Sequence, residues 1–186
     1  MTDKHLSSQF ENELHVVSGQ LIELGRLVDA QICQSIEALS HFDAGLARQV
    51  LAAEAQVNDL EAEIDHEITT IIARRQPTAR DLRLLMAISK ASGSLERVGN
   101  EADKMARKVL NLVRAATKRI SPPQDLDQAT RLATGLLRAA LGAFARLDLA
   151  AAMEVLKEDG PVYQEVDALV QKLIVAMIEK PQMQTT

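Results

Sequence analysis

Apolar residues recur every three or four positions along most of this sequence, and that spacing predicts long amphipathic helices. The first stripe predicts a helix of about 30 residues, which Ser7 or Ser8 is expected to cap. Its members are Phe10, Leu14, Val17, Leu21, Leu24, Val28, Ile32, Ile36 and Leu39. Similar stripes run from Leu46 to Ile71 and from Leu82 to Leu112. Three long helices joined by short turns predict an up-down-up bundle.

Pro77 marks the turn between the second and third predicted helices. The residue before a proline disfavours helical geometry, so the second helix should end there. Thr78 with Asp81 resembles the capping box that begins a helix. The turn also carries a concentration of positive charge, formed by Arg74, Arg75, Arg80 and Arg83.

The chain is predicted to contain one complete and one partial helical unit. The first covers residues 7–116, and residues 117–125 form a linker because two adjacent prolines there bar any continuous helix. Two more apolar stripes predict two helices in residues 126–180, the second kinked or interrupted at Gly160-Pro161. Residues 38–57 and 143–162 match at a constant offset, which indicates an internal repeat. We therefore expect an all-α fold of tandem three-helix bundles, with five long helices and an incomplete second bundle.

Composition supports this fold class and excludes others. The 186 residues are 47% hydrophobic but only 2% aromatic, which favours helices with an aliphatic core. The net charge of −5 argues against general nucleic-acid binding. A single cysteine suits a reducing compartment. Because no secretory signal and no membrane-spanning apolar run is visible, we expect a cytoplasmic protein.

Acidic residues repeat at helical spacing on the second and third predicted helices. If those helices form an antiparallel hairpin about Pro77, Glu61 lies level with Glu96, and Glu54 lies level with Asp103. Facing carboxylates imply either full solvent exposure or a bound cation. Oxygen ligands suit Mg²⁺, Ca²⁺, Mn²⁺ or iron rather than structural zinc. The alternative is that these rows are ordinary solvated helix faces. The candidate ligands are Glu61, Asp65, Glu96, Asn100 and Asp103.

The segments "IIARRQPTARDLRLLMAISK" and "LERVGNEADKMARKVL" resemble the PhoU family of bacterial phosphate regulators. The resemblance starts at "QFENEL" and spans nearly the whole chain. It implies two similar three-helix bundles whose Glu/Asp-x-x-x-Asp motifs bind metal ions. Here those motifs would be Glu61-x-x-x-Asp65 and Glu96-x-x-x-Asn100. Asn100 stands where the family has Asp, which removes one charge from the expected site. The implied cofactor is a divalent or trivalent metal (Fe, Mn, Mg or Zn), with no organic cofactor.

The resemblance also implies a non-enzymatic adaptor and negative regulator of phosphate uptake and phosphate-starvation signalling. Its partners would be the ATPase subunit of a phosphate ABC transporter and a membrane sensor histidine kinase. The arginines of the Pro77 turn would then contact an acidic partner, phospholipid or a phosphorylated group. Alternatively, they solvate the loop and interact favourably with the helix C-terminus.

Two other functions remain open from the sequence: a metal store or metal-dependent enzyme built on the carboxylates, and a purely structural helical scaffold. No nucleophile–base motif, phosphate-binding glycine loop or second Glu-x-x-His motif is present. The uncovered apolar stripes of the last two helices predict a homodimer rather than a monomer.

Overall fold

The computed structural model describes residues 2–115 and 124–179, and this part of the chain consists of five α-helices. They are α1 (Thr2–His41), α2 (Ala44–Arg75), α3 (Ala79–Arg114), α4 (Gln124–Arg146) and α5 (Leu149–Glu179). The predicted all-α class is confirmed. The predicted linker at 117–125 falls almost entirely outside the described residues. None of the helices described combines the length and hydropathy that crossing a membrane requires.

Helix α1 is longer than its apolar stripe predicted. It begins at Thr2, so Ser7 and Ser8 lie inside the helix and do not cap it. The polar residues before Phe10 continue the helix without adding to its apolar face, which is why periodicity alone placed the start too late.

The corners that follow α1 and α4 have the same geometry. Phe42 and Leu147 both adopt left-handed φ values, of 53° and 50°. The next residue in each corner is an aspartate, whose side chain accepts hydrogen bonds from backbone N–H groups of the following helix. The backbone N–H of Asp43 and that of Asp148 each donate to a carbonyl five residues earlier, both at 2.9 Å. This agreement supports the internal repeat.

The turn between α2 and α3 lies where Pro77 predicted it. Helix α2 ends at Arg75, and Gln76 adopts a left-handed conformation with φ 48°. Thr78 occupies the position before α3, but its side chain makes no capping hydrogen bond. The capping-box prediction is therefore wrong in its hydrogen bonding, although the helix does begin at the predicted residue.

Helix α5 is continuous from Leu149 to Glu179, so the predicted interruption at Gly160-Pro161 is wrong, and the kink stays a prediction. Proline has no backbone N–H and usually disrupts a helix interior. Here α5 packs against α4 on both sides of Pro161, with Val155 before it and the buried Leu169 after it. These contacts outweigh the local preference of the proline.

The core lies among α1, α2 and α3, each of which contacts the other two. Its larger cluster consists of aliphatic residues at the spacings that the stripes predicted. They are Val17, Leu21, Leu24, Val28, Val57, Ile64, Ile68, Ile71, Leu85, Ile88 and Leu95. A second cluster nearer the α1–α2 corner contains Ala38, Ala47, Val50, Ala102, Ala106 and Val109.

Helix α4 attaches the second unit to the first bundle through α1. A Cβ atom on Gly25 would lie 2.7 Å from a terminal carbon of Leu141, so the two helices approach closely at this glycine. One turn away, the Arg138 guanidinium donates to the Asp29 carboxylate at 2.9 to 3.1 Å. Helix α5 contacts only α4 among the helices described. The second unit is thus a two-helix hairpin in which α4, and not α5, packs against the first bundle.

An ion pair joins the start of α1 to the end of α2. Arg75 donates two hydrogen bonds to the Glu13 carboxylate, at 2.9 and 2.6 Å. These hydrogen bonds hold the pKa of Glu13 below its usual value, although partial burial opposes them. Because the folded-state pKa lies below the unfolded one, the stabilisation is present above the unfolded pKa and is lost as pH falls through the folded pKa.

We therefore expect Glu13→Gln to lose less stability on acidification than the parent protein. The parent protonates Glu13 and loses the ion pair as pH drops through the acidic range, whereas the variant lacks the pair at every pH. Urea unfolding at neutral and acidic pH measures the difference. Glu11→Gln, at an exposed position of the same helix, should keep the parental pH dependence. Equal pH dependence of the parent and Glu13→Gln would contradict this assignment.

Candidate functional site: two carboxylate levels and an arginine turn

The first carboxylate level joins α2 and α3. Partial burial raises the pKa of the Glu61 carboxyl, and the negative charges of Asp65 and Glu96 raise it further. The Asn100 amide donates a hydrogen bond to the Glu96 carboxylate. The hairpin therefore brings Glu61, Asp65 and Glu96 into one electrostatic neighbourhood, with Asn100 beside them.

The second level contains Glu54 and Asp103, which already have partners inside the protein. Arg107 pairs with the Asp103 carboxylate at 2.7 Å, and this hydrogen bond, with a smaller contribution from Glu54, raises the pKa of Arg107. The Glu54 side chain is only 8% exposed and accepts a hydrogen bond from Gln31 at 3.0 Å. Asp103 is thus engaged by Arg107 rather than free to replace the missing carboxylate at position 100.

Gln31 belongs to this second level, and sequence reasoning missed it. It is 1% exposed, and its Oε1 and that of Glu54 are buried without a hydrogen-bond partner among the described residues. A Cβ on Gly99 would lie 2.9 Å from Gln31 Oε1, so the glycine in "LERVGN" allows α3 to approach this amide. The available signal was that Gln31 and the buried Ser35 interrupt the apolar stripe of α1 at a spacing of four.

The donor chemistry suits a hard cation, but the side chains are not arranged as a coordination shell. In residues 2–115 and 124–179, no three Asp, Glu, His or Cys side chains form a group that could hold a metal ion. Carboxylate and amide oxygens are the ligands that Mg²⁺ or Ca²⁺ prefers. Binding at Glu61, Asp65 and Glu96 would therefore require their side chains to change rotamer.

The arginines of the Pro77 turn divide into two groups. Arg75 is held in the ion pair with Glu13, with a side chain 18% exposed, and so supports the fold. The other three are exposed and make no ion pair within the part of the chain described. We call these three residues, Arg74, Arg80 and Arg83, the arginine tip.

Comparison with known proteins identifies similar chains over nearly the whole length. Residues 21–109 match the family model described as "PhoU domain". A phosphate-specific transport system accessory protein PhoU homolog of Burkholderia sp is 45% identical, covering 100% of this chain and 80% of the relative. The accessory protein PhoU of Escherichia coli (strain K12) is 37% identical, covering 95% of this chain and 73% of its own length.

Two solved structures have the same fold. PhoU from Pseudomonas aeruginosa superposes with a TM-score of 0.85 at 36% identity, covering 93% of this chain and 82% of that one. The phosphate transport system regulatory protein PhoU from Streptococcus pneumoniae has a TM-score of 0.81 at 24% identity, covering 92% and 80%. The second similarity concerns the fold alone.

Proposed function

Because this chain belongs to the PhoU family, we propose that it is an accessory protein of a phosphate-specific transport system and acts as a non-enzymatic adaptor. The observation that carries the proposal is the 45% identity, over the whole chain, to a relative of that name. In the finer form of the proposal, the protein lowers phosphate uptake and represses phosphate-starvation signalling. It does so in the cytoplasm by linking the transporter ATPase subunit to a membrane sensor histidine kinase.

The arginine tip supplies the contact with these partners. Three exposed guanidinium groups, which form no ion pair with the residues that the structure describes, make a local cationic surface on a chain whose net charge is −5. Such groups bind carboxylates or phosphates through paired hydrogen bonds. Arg75 has no part in this contact because Glu13 occupies it.

The triple variant Arg74→Glu, Arg80→Glu, Arg83→Glu should therefore lose co-purification with both the transporter ATPase subunit and the sensor kinase. Its helical content by circular dichroism should be unchanged, because these side chains contribute nothing to the core. A matched control reverses three exposed arginines elsewhere, Arg48, Arg114 and Arg131, and should still bind. Parental binding by the triple variant would remove the arginine tip from the contact surface.

We further propose that the first carboxylate level binds a divalent or trivalent cation such as Mn²⁺ or iron. The support is the shared electrostatic neighbourhood of Glu61, Asp65 and Glu96, which form no ion pair with any cationic side chain of residues 2–115 and 124–179. A bound cation would neutralise this repulsion once the side chains rotate toward it. Asp103 lies outside the site because it is paired with Arg107.

Glu61→Gln should lower Mn²⁺ affinity about tenfold or more, because one charged ligand becomes neutral. Isothermal titration of the parent and the variant measures the change. Glu63→Gln, two residues away on an exposed side of α2, should bind like the parent. Equal affinities for all three proteins, or no heat of binding in the parent, would refute a cation site at this level.

We also propose that the protein is a homodimer formed through α5. Four apolar side chains of α5 recur every seven residues and are exposed: Leu149 (76%), Leu156 (69%), Tyr163 (72%) and Val170 (44%). Apolar residues at this spacing pack against a partner helix in coiled coils. The apolar stripes of α4 and α5, which the sequence leaves uncovered, are partly exposed in the structure, with Leu132 38% and Val166 37% exposed.

A further inference from the structure

A groove of about 460 Å³ lies beside the arginine tip, between the first half of α1, the start of α3 and the end of α4. Its apolar lining comprises Leu14, Ile22, Leu84 and Phe144. Concave sites of this volume with an apolar lining and a few polar groups are typical binding pockets.

One wall of the groove is an apolar side chain that the described residues leave largely uncovered. Leu147 is 65% exposed and lines the groove from the α4–α5 corner. The equivalent corner residue of the first unit, Phe42, is partly buried. An exposed leucine on the wall of a groove provides apolar surface that a partner side chain can cover.

The charged residues of the groove are distributed unevenly. Arg80 lines it, and Arg83 lies one turn further along α3, where residues three apart are neighbours. Neither arginine forms an ion pair within the described residues. His15, Glu11 and Asp81 also face the groove. An acidic group of a partner is therefore attracted to Arg80, whereas Glu11 and Asp81 repel it from the rest of the rim.

We propose that this groove binds a short amphipathic segment of a partner protein. An aliphatic side chain of the segment enters between Leu84 and Phe144, and an acidic residue beside it pairs with Arg80. The inference rests on the proposed adaptor function, because it assigns the surface that the adaptor uses. A concave groove between three helices can receive a protruding side chain. A lipid bilayer is a broad surface, which would contact the exposed arginines without entering the groove. The groove therefore favours a protein partner over a membrane.

Gly19→Leu tests the proposal by filling the groove. Gly19 is exposed and lines the groove. A Cβ atom added at this position would meet no other atom within 4 Å. The leucine side chain therefore starts in open space and extends into the groove, and circular dichroism and the unfolding midpoint of the variant check that the fold is kept. We expect the Gly19→Leu variant to bind the purified transporter ATPase subunit, or the cytoplasmic part of the sensor kinase, about tenfold or more weakly than the parent protein. The matched control is Gly135→Leu, at an exposed glycine of α4 where an added Cβ would also meet no atom within 4 Å.

The possible results separate this proposal from the one on which it rests. Loss of affinity in Gly19→Leu but not in Gly135→Leu supports the groove. Parental affinity in Gly19→Leu, with binding still lost in the arginine-tip variant, overturns the groove and leaves the adaptor function standing. A parent protein that binds neither purified partner overturns the adaptor function and the groove with it.

A vesicle-binding assay tests the alternative that this part of the protein binds a membrane. The parent, Gly19→Leu and the arginine-tip variant are sedimented with vesicles containing phosphatidylglycerol. If the parent binds the vesicles and Gly19→Leu does not, the groove takes up lipid and the proposal of a protein partner is overturned. Equal binding by these two proteins, lost in the arginine-tip variant, assigns the lipid contact to the arginines and leaves the groove to the protein partner. Failure of all three proteins to sediment supports the protein partner.

Discussion

The double variant Leu149→Lys, Leu156→Lys is expected to convert a dimer of this protein into a monomer. Both leucines lie on the exposed face of α5 and line the apolar groove that continues toward α4. In a two-fold dimer each residue is buried twice, so the variant places four charges in an apolar interface. The result follows from the heptad spacing of the exposed side chains.

The expected change in affinity is large. Burying a leucine side chain contributes about 1.5–3 kcal/mol, so even partial burial of four leucines would change the dissociation constant roughly a thousandfold or more. The folded monomer should remain, because neither leucine belongs to the core clusters. Its helical content and unfolding midpoint, compared at low concentration, should match those of the parent.

Light scattering and sedimentation equilibrium at micromolar concentration measure the change in mass. The matched control replaces exposed apolar residues of the first bundle, Val16→Lys and Val98→Lys, which are 47% and 40% exposed. That control should dimerise like the parent. A parent protein that is a monodisperse monomer at these concentrations would exclude the dimer, and dissociation of the control would place the interface on the first bundle.

Gly25→Ala is expected to be destabilised by about 1–3 kcal/mol relative to Gly19→Ala. Both glycines lie in α1, so each replacement brings the same gain in helix propensity, about 0.5–1 kcal/mol. At Gly19 the added methyl group meets nothing within 4 Å, whereas at Gly25 it overlaps the Leu141 side chain and lies 3.1 Å from its Cγ. Either the Leu141 side chain must leave its rotamer or helix α4 must move away from α1, and movement of α4 would also strain the Arg138–Asp29 ion pair.

Urea unfolding of both alanine variants gives the difference in free energy of unfolding. A double variant, Gly25→Ala with Leu141→Ala, restores the space and should be more stable than the sum of the two single changes predicts. Equal stability of Gly25→Ala and Gly19→Ala, or strict additivity in the double variant, would show that α4 does not depend on this close approach.

The helices and their connections could be predicted from local patterns. A stripe of apolar residues at helical spacing defines a face that must be buried, whatever its partner. Pro77 determined the position of the α2–α3 turn, because its effect on the preceding residue is local and steric. The same kind of reasoning could not choose between a kink and an interruption at Pro161, where packing of α5 against α4 keeps the helix continuous across the proline.

The candidate site could be predicted only in part. In an antiparallel helical hairpin, the distance of a residue from the turn gives its position along the helix axis. Placing Glu61 level with Glu96 therefore needed no knowledge of side-chain packing. The partners of the other acidic residues could not be obtained in this way. Asp103 is paired with Arg107 on its own helix, while Glu54 turns inward to Gln31 on α1. Periodicity assigns a residue to a face of its helix but does not say which neighbouring side chain meets it.

By itself the sequence determined the helical class, the turn at Pro77 and the two repeated corners, because each follows from preferences acting over a few residues. Only the tertiary structure decided which charges are available for function. Arg75 and Arg80 are equivalent as cations in the sequence. In the structure Arg75 is paired with Glu13, 62 residues away, whereas Arg80 lines an open groove. The physical reason is that an ion pair or a close helix contact depends on the distance between residues far apart in the chain, which is set when the helices pack.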